Sequence, residues 1–520
     1  MKIRAVGFLV GIFSFILILI LPPFSSFFTE AQKIITQTNL PLSPQQLVET
    51  MHVTFALLIL MVIWWLTEAV SLSVTALLPA IILPCFHLTG IHNNAIIEFT
   101  FKNILLNYSH PIIFLFLGGF FLASAMQKWK LDYRFTLWFL TRANLANDSR
   151  KILLAIMSVT AFLSMWISNT ATAAMMLPLG LGILSILGRK PGESRFGTAL
   201  MLSIAWSASI GGVGTMIGSP PNGITIGILN TAFFDDKNFQ PLTFLDWMKF
   251  GIPYVILFIP LAWFLLLKIF PPEITSIEGG KKKLLEEQST LGKLSNPEKK
   301  VIAVFFLAVL LWITNPFWEN IFSHDIAKKN SWIDEYTIGL FAGVLMFLIP
   351  VKLREAKFLL EWKDTKSIEW GTLILFGGGI ALSDVLFKSG LASWFGALFI
   401  EVVGTPSVWE MVVAILFLVT ILSEVASNTA TVSLLVPIII SLANITQENV
   451  VTFSIIAALT ASLSFAFPVG TPPNALVYST GYVRMKDMIK GGLWLDIIGW
   501  IFTVGIIIVF GVWIFGVLSL

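Results

Sequence analysis

The sequence predicts an all-α polytopic membrane protein with about 11 transmembrane helices and two re-entrant helical hairpins in an inverted-topology repeat. Of its 520 residues, 56% are apolar and only 12% are charged. That is about half the charged fraction of a soluble protein. The apolar residues form runs of about 20, the length that crosses a bilayer as a helix. Three short motifs also occur twice in the same order, so the chain contains an internal repeat.

Composition and charge exclude several other classes of protein. The single cysteine, Cys85, permits no intrachain disulfide. The net charge of +3 says nothing about nucleic acid, but the longest basic run is only Lys281–Lys283, and we expect no nucleic-acid partner. The five histidines are scattered, and the sequence shows neither a Ser/His/Asp nor a His-Glu-x-x-His constellation. We therefore expect no enzymatic activity and no cofactor.

The predicted spans follow the apolar runs. The first run comes after Lys2 and Arg4, as in a signal peptide, but it is long and is followed by Pro22-Pro23 instead of a cleavage site. We therefore predict a retained span. Two further runs, 152–187 and 412–442, are too long for one span and carry polar residues in their middle, which predicts hairpins. The full spans are predicted at 5–27, 50–67, 70–90, 110–127, 197–217, 249–270, 301–322, 336–350, 368–387, 452–468 and 492–517.

The distribution of Lys and Arg predicts the orientation. If each hairpin enters and leaves on the same side, the inside segments hold all but seven of the 33 Lys and Arg residues. This predicts a plasma (inner) membrane protein with a cytoplasmic N-terminus and an external C-terminus. The seven residues predicted outside are Lys33, Lys102, Lys237, Lys249, Lys328, Lys329 and Lys388.

The internal repeat has inverted orientation. An odd number of spans separates the copies, so the two hairpins open on opposite sides, as in secondary transporters. The charged segment 271–300 joins the halves and is predicted to be a solvated cytosolic loop. The paired motifs are the glycine-rich 116–131 and 376–391, SNTAT at 168–172 and 427–431, and G-[ST]-P-P-N at 218–222 and 470–474.

Each SNTAT motif is predicted to form the tip of a hairpin. Polar side chains are costly in lipid unless they are satisfied. One copy alone could simply help two helices to pack. Two copies at matched positions favour a turn that presents carbonyl and hydroxyl oxygens to a bound ion or substrate. Oxygen ligands without carboxylates suit Na⁺.

Each Pro-Pro pair predicts an unwound break inside a helix, near 200–230 and 452–480. Broken helices at membrane depth are tolerated where they line a cavity. The helix N-termini that they create favour an anion. The segments 152–187, 196–236, 412–443 and 450–483 contain no Lys, Arg or His, so co-bound Na⁺ would have to balance a di-anion.

Three isolated features are given structural roles. Glu424 is the only acidic residue in the two hairpins, and we expect it to form a structural hydrogen bond. Glu68 and Asp496 lie at predicted membrane edges and are expected to be interfacial. The triplet Gly377–Gly379 lies in an apolar span without a following Gly-Lys-Ser/Thr, which indicates close helix packing.

The chain resembles the divalent anion/sodium symporter family, which includes sodium-coupled dicarboxylate and citrate carriers. Both SNT motifs and both PPN motifs are typical of it. The stretch Trp64–Pro79 is similar to the family pattern W-x-T-E-A-x-P-L-x-x-T-A-L-L-P, with Ser71 in place of proline. The resemblance extends from about residue 50 to Leu520.

The resemblance implies a homodimer that works as an elevator, in which a scaffold holds the dimer and a transport domain moves across the bilayer. It implies a first Na⁺ site at Ser164, Ser168, Asn169 and Gly218, and a second at Ser423, Ala426, Asn428 and Gly470. It places the substrate at Asn169, Thr170 and Ser219 on one side, and at Asn428, Thr429, Thr471 and Pro472 on the other. The implied divisions are scaffold helices at 1–145 and 301–405, transport-domain halves at 146–270 and 406–520, and the cytosolic linker 271–300.

We therefore predict a Na⁺-coupled importer of C4-dicarboxylates such as succinate, malate or fumarate. A Na⁺-independent exchanger of the 2-oxoglutarate/malate kind is the main alternative, and sulfate or citrate is an alternative substrate. An intramembrane enzyme would need a nucleophile–base pair or metal ligands, which the motifs do not supply. A channel would fit paired hairpins and broken helices less well than alternating access.

Overall fold

The structure is a computed structural model, and it describes residues 2–142, 148–234, 236, 239–275, 280–318, 333–404 and 406–515. The described residues are mostly helical, and ten of their helices are long and apolar enough to cross a membrane. The predicted external residues Lys237, Lys328 and Lys329 lie outside the described residues.

The first half of the chain contains thirteen of the described helices and one antiparallel pair of strands. Strand β1 (Thr89–His92) pairs with β2 (Ala95–Glu98), with Thr89 opposite Glu98. The helices are α1 Lys2–Ile20, α2 Ser25–Thr38, α3 Pro44–Thr67, α4 Leu72–Thr75, α5 Leu78–Cys85, α6 Phe101–Leu105, α7 Pro111–Lys128, α8 Leu131–Arg142, α9 Ser149–Ser164, α10 Asn169–Ile186, α11 Arg195–Gly212, α12 Pro220–Ala232 and α13 Phe244–Ile269.

The linker and the second half repeat much of this order. Strands β3 (Pro350–Lys352) and β4 (Lys357–Phe358) also pair antiparallel. The helices are α14 Gly280–Thr290, α15 Asn296–Thr314, α16 Glu335–Leu348, α17 Trp370–Lys388, α18 Leu391–Val403, α19 Val408–Val425, α20 Asn428–Ile445, α21 Val450–Ala461, α22 Pro472–Ser479 and α23 Met485–Phe515. Short 3₁₀ turns lie at Leu106–Ser109, Asn315–Phe317, Leu353–Glu355 and Trp362–Ser367.

Two predicted spans are divided into separate helices in the structure. The run 5–27 is one helix only as far as Ile20, because Pro22-Pro23 interrupts it and α2 begins at Ser25 as a separate helix. The run 70–90 is divided into α4 and α5, with prolines at 79 and 84, and it ends at the β1–β2 hairpin. Neither α4 nor α5 is long enough to cross a bilayer alone.

The linker prediction is wrong in part, because α14 packs against α8. The Tyr133 hydroxyl donates to Glu287 Oε2 at 2.5 Å, and the Arg134 guanidinium donates to the Leu291 carbonyl at 2.8 Å. Leu284 is only 4% exposed. The linker therefore contains a docked helix, which its polar sequence does not indicate.

The glycine-rich helices α7 and α17 are closely packed, which confirms the prediction for Gly377–Gly379 in α17. A methyl group added at Gly118 would lie 2.1 Å from the carbonyl oxygen of Gly339 in α16. One added at Gly378 would lie 2.1 Å from the carbonyl oxygen of Ala76. Only glycine permits backbones to approach this closely. These helices support the hairpins, since α17 packs against both α12 and α20.

Candidate ion and substrate site

Both SNTAT motifs form the tips of helical hairpins. In the first hairpin, α9 ends at Ser164 and α10 begins at Asn169. In the second, α19 ends at Val425 and α20 begins at Asn428. The two arms of each hairpin pack against each other. This confirms the predicted hairpins.

Both G-[ST]-P-P-N motifs lie at breaks between helices, also as predicted. The first break separates α11 from α12, and the second separates α21 from α22. The Asn222 amide donates to the carbonyls of Gly212 at 2.9 Å and Thr215 at 2.8 Å. Each Pro-Pro pair occupies the first two positions of the new helix, where a missing N–H costs nothing.

Asn474 repeats this brace in the second break. Its amide donates to the carbonyls of Ser464 at 3.0 Å and Phe467 at 3.1 Å. The spacing of donor and acceptors along the chain is the same in both breaks. The motif asparagines therefore satisfy carbonyls that the breaks expose, a role that sequence reasoning missed.

Every predicted substrate residue lies at the start of a helix. Asn169 and Thr170 open α10, and Asn428 and Thr429 open α20. The structure also packs α10 against α22 and α12 against α20, so each hairpin meets the broken helix of the other half. Helix N-termini carry free N–H groups and partial positive charge. The remaining predicted residues are the N-caps Ser219 and Thr471 and the exposed Pro472.

The structure brings together three of the four residues of the first predicted Na⁺ site. Ser164 Oγ lies 2.7 Å from Asn169 Oδ1 and 2.7 Å from the Ala208 carbonyl oxygen. The same end of the Asn169 amide lies 3.0 Å from Ala208 O and 3.2 Å from Gly218 O. Sequence reasoning missed Ala208, because any residue could supply this backbone carbonyl.

The orientation of the Asn169 amide decides how this cluster is satisfied. The Ser164 hydroxyl has one hydrogen and cannot donate to both acceptors. One remedy turns the Asn169 amide so that its nitrogen donates to Ser164 Oγ, Ala208 O and Gly218 O. The other is a small cation held between oxygens. A single amide rotation therefore separates an arrangement satisfied by hydrogen bonds from one suited to Na⁺.

Ser168 is not part of this cluster through its hydroxyl. Its Oγ accepts the Ala171 N–H at 3.3 Å, which caps α10, and donates to Glu369 Oε1 at 2.7 Å. Glu369 directly precedes α17 and also accepts a hydrogen bond from Thr372. The tip of the first hairpin is thereby tied to α17.

The second predicted site has unpartnered oxygens. Ser423 Oγ and Asn428 Oδ1 are buried without a hydrogen-bond partner among the described residues. Ser464 Oγ donates to the Ser423 carbonyl at 3.0 Å. A methyl group at Gly470 would meet Ser464 Oγ at 2.2 Å, so Gly470 lies close beside this group. The fourth predicted residue, Ala426, is buried at the hairpin turn.

The acidic residues behave differently from one another. The Glu424 carboxylate accepts the N–H groups of Ala466 at 2.9 Å and Phe467 at 3.0 Å, which confirms the predicted structural hydrogen bond. Glu68 is 57% exposed and pairs with Arg4 at 2.6 Å. The interfacial prediction for Asp496 is wrong, since it is only 2% exposed. The predicted span 492–517 placed Asp496 near a helix end, but α23 begins at Met485 and packs this side chain into the protein interior.

Comparison with known proteins assigns the family. The family model described as "Sodium:sulfate symporter transmembrane region" matches residues 32–517. The chain belongs to this family. The sodium-dependent dicarboxylate transporter SdcS of Staphylococcus saprophyticus is 37% identical over 448 residues, which cover 84% of this chain and 81% of that protein. SdcS of Staphylococcus aureus strain USA300 is 35% identical over the same length.

Solved structures support the fold of this family member. The YdaH transporter of Alcanivorax borkumensis aligns with a TM-score of 0.53 at 14% identity, covering 85% of this chain and 97% of that one. Neisseria gonorrhoeae MtrF aligns with a TM-score of 0.53 at 13% identity, covering 87% and 97%. The predicted class, an integral all-α membrane protein, is confirmed.

Proposed function

We propose that this protein imports C4-dicarboxylates such as succinate, malate or fumarate together with Na⁺. The observation that carries the proposal is the convergence of Ser164 Oγ, the Asn169 side-chain amide and the carbonyl oxygens of Ala208 and Gly218 at the first hairpin tip. The names of the SdcS relatives support both the ion and the substrate class. With the Asn169 amide oxygen facing the cluster, a cation would take the place of the amide hydrogens.

Charge balance gives the physical reason for coupling. The hairpins and broken helices contain no Lys, Arg or His at 152–187, 196–236, 412–443 or 450–483. Four helix N-termini supply only partial positive charge, about half a unit each at most and screened where water enters. Na⁺ ions at the two oxygen sites would supply two full charges beside a di-anion.

The proposal includes alternating access by an elevator in a homodimer, with the N-terminus in the cytoplasm. The contact between Ser168 and Glu369 supports a movable boundary, because it joins a hairpin tip to α17 through one hydrogen bond. Under this proposal the hairpins, broken helices, α13 and α23 move together, while the remaining helices stay in the membrane as the scaffold.

Sulfate is a second candidate substrate, because the description of the family names it. Both substrates are di-anions, and the helix N-termini would serve either. A Na⁺-independent exchanger of dicarboxylates would use the same substrate residues but would not need the oxygen clusters.

Uptake into proteoliposomes tests the proposal. Vesicles without internal dicarboxylate receive radiolabelled succinate or sulfate, with and without an inward Na⁺ gradient. We expect strong succinate uptake only with the gradient. Uptake that requires internal malate or 2-oxoglutarate regardless of Na⁺ would establish the exchanger instead, and uptake of sulfate alone would change the substrate class.

Two site variants connect this activity to the structure. Asn169→Ala and Asn428→Ala should each abolish uptake at normal expression, because each removes a predicted ligand of both ion and substrate. Asn103→Ala is the matched control, since that amide bonds only to the Glu98 carbonyl at 2.9 Å near the protein surface. Wild-type uptake by both site variants would contradict the assignment.

The orientation is tested separately by labelling. A cysteine at the exposed Lys282 is introduced after Cys85, the only cysteine in the sequence, is replaced by serine. An impermeant maleimide should label it only after the cells are opened. Labelling of intact cells would contradict the cytoplasmic placement of the linker.

A further inference from the structure

Two carboxyl groups are buried together beside the second predicted Na⁺ site. Glu424 in α19 is 5% exposed, and Asp496 in α23 is 2% exposed. Neither oxygen of Asp496 has a hydrogen-bond partner among the described residues. Burial of an unpaired carboxylate is expensive, so this arrangement needs an explanation.

Two contacts between α23 and its neighbours place these carboxyl groups opposite each other. One turn after Asp496, the Trp500 indole donates to Thr420 Oγ1 at 2.8 Å, and Thr420 lies one turn before Glu424. One turn before Asp496, a methyl group at Gly492 would lie 2.3 Å from the Phe465 carbonyl oxygen. Residues four apart share a helix face, so Asp496 lies between these contacts and faces Glu424.

Glu424 is hydrogen-bonded to the second break. Both of its oxygens accept backbone N–H groups, from Ala466 and Phe467. Such charge-assisted bonds stabilise a negative charge on this carboxylate. The Asp496 carboxyl group lies against that of Glu424 and adds a second acidic group to the same place.

Among the described residues, neither Glu424 nor Asp496 forms an ion pair with a cationic side chain. The segments 412–443 and 450–483, which surround Glu424, contain no Lys, Arg or His. On α23 the nearest is Lys490, six positions before Asp496 and on another face of the helix. The pair also lies near the second site, because a methyl group at Gly470 would be 3.4 Å from Glu424 Oε2.

We propose that Glu424 and Asp496 form an additional Na⁺ site in the second half of the chain, with the unpartnered carboxylate of Asp496 as its principal ligand. The inference rests on the proposed Na⁺ coupling. The additional site differs from the two sites at the hairpin tips, whose side-chain ligands are uncharged. An ion here would offset part of the charge of the pair and add one positive charge to each transport cycle.

Equilibrium binding of radioactive ²²Na⁺ to the purified full-length protein tests the site without requiring transport. We expect Asp496→Asn to bind one Na⁺ fewer per chain than the wild type, and Asp496→Glu to restore the wild-type number. Asp132→Asn is the matched control, because Asp132 is also buried, at 4% exposure, and lies outside the proposed sites. It should keep the wild-type number.

The outcomes separate this proposal from the proposed function. An unchanged Na⁺ number in folded Asp496→Asn overturns the additional site even if wild-type uptake is Na⁺-coupled. If that variant instead loses a dependence of uptake on the proton gradient, the pair holds a proton and the proposal is wrong. A loss of one Na⁺ supports the site even if succinate proves not to be the substrate. If Asp496→Glu fails to restore the number, the loss has a structural cause and the proposal is also wrong.

Discussion

The two halves of the chain form the same backbone arrangement but place different side chains around it. In both halves, a hairpin tip meets a broken helix. The asparagine of each break, Asn222 or Asn474, donates to two carbonyls, which lie 10 and 7 residues before it. The first half places Met165 against Gly214 beside its break. The second half places Glu424 at the corresponding position, bonded to the N–H of Ala466.

This difference separates what the shared geometry requires from what one half adds. The helix N-termini, the braced breaks and the hairpin oxygens occur twice, so they are the parts needed to hold ion and substrate. The carboxyl groups occur only in the second half. An inverted repeat can therefore keep its backbone symmetric while one half carries additional charge.

The largest expected effect comes from crowding the first oxygen cluster. In Gly212→Ala the new methyl group would lie 2.3 Å from Asn169 Oδ1 and displace the amide. We expect Na⁺-dependent uptake to fall by at least about tenfold, the effect of about 1.4 kcal/mol. Gly182→Ala, where nothing lies within 4 Å, is the control. In the second half, Ser464 occupies the corresponding position, so Ser464→Ala should cost less. Equal losses in both halves would contradict this asymmetry.

A cross-link tests the hydrogen bond between the tip of the first hairpin and Glu369, the residue before α17. In a protein with Cys85→Ser, Ser168→Cys and Glu369→Cys should be bridged by Hg²⁺, because the native side chains are 2.7 Å apart. If the hairpin must move relative to α17, bridging blocks uptake and a reductant restores it. Ser427→Cys with Glu369→Cys should remain unbridged. Full uptake by the bridged protein would argue against the elevator.

The asparagine braces should be equally important in both halves. Asn222→Ala and Asn474→Ala each leave two carbonyls without their donor, at about 1–3 kcal/mol for each buried group. We expect similar falls in the thermal unfolding midpoint in detergent, with Asn103→Ala unchanged. A fall in only one variant would show that the two breaks are stabilised differently.

The smallest expected effect concerns the helix that leads to each break. Burial raises the pKa of Glu273, but hydrogen bonds from Ser194 and Phe196 and the charge of Arg189 outweigh it, so the pKa lies below its usual 4.5. Glu273 therefore stabilises the start of α11 above that pH, and this contribution is lost as the pH falls through the lowered pKa.

A comparison of helix caps measures this effect. At pH 7, Glu273→Gln should lower the free energy of unfolding by less than about 1 kcal/mol, because the ion pair is partly exposed. The difference from the wild type should shrink near pH 4. Asn449→Ala removes the neutral cap of α21, which accepts the Thr452 N–H at 2.9 Å. Its effect should not change with pH. A pH-independent loss for Glu273→Gln would contradict the electrostatic explanation.

Local chemistry explains why much of the site could be predicted. Proline pairs end a helix wherever they occur, so the breaks at 218–222 and 470–474 could be located from the sequence. Polar residues in the middle of a long apolar run indicate a turn, which located both hairpin tips. The docking of α14 could not be predicted, since it depends on contacts with the distant Tyr133 and Arg134.

The membrane class, the hairpins and the breaks could be read from the amino-acid sequence, because each follows from apolar length or from residues that a helix cannot accommodate, and the repeat could be read from its paired motifs. Packing between distant helices selected three further features: the Ala208 carbonyl joins Ser164 and Asn169, the Ser168 hydroxyl turns to Glu369, and Asp496 faces Glu424 instead of the membrane surface. These facts depend on which faces of distant helices meet. A carbonyl belongs to every residue and an aspartate can lie on any face, so packing alone selects among them.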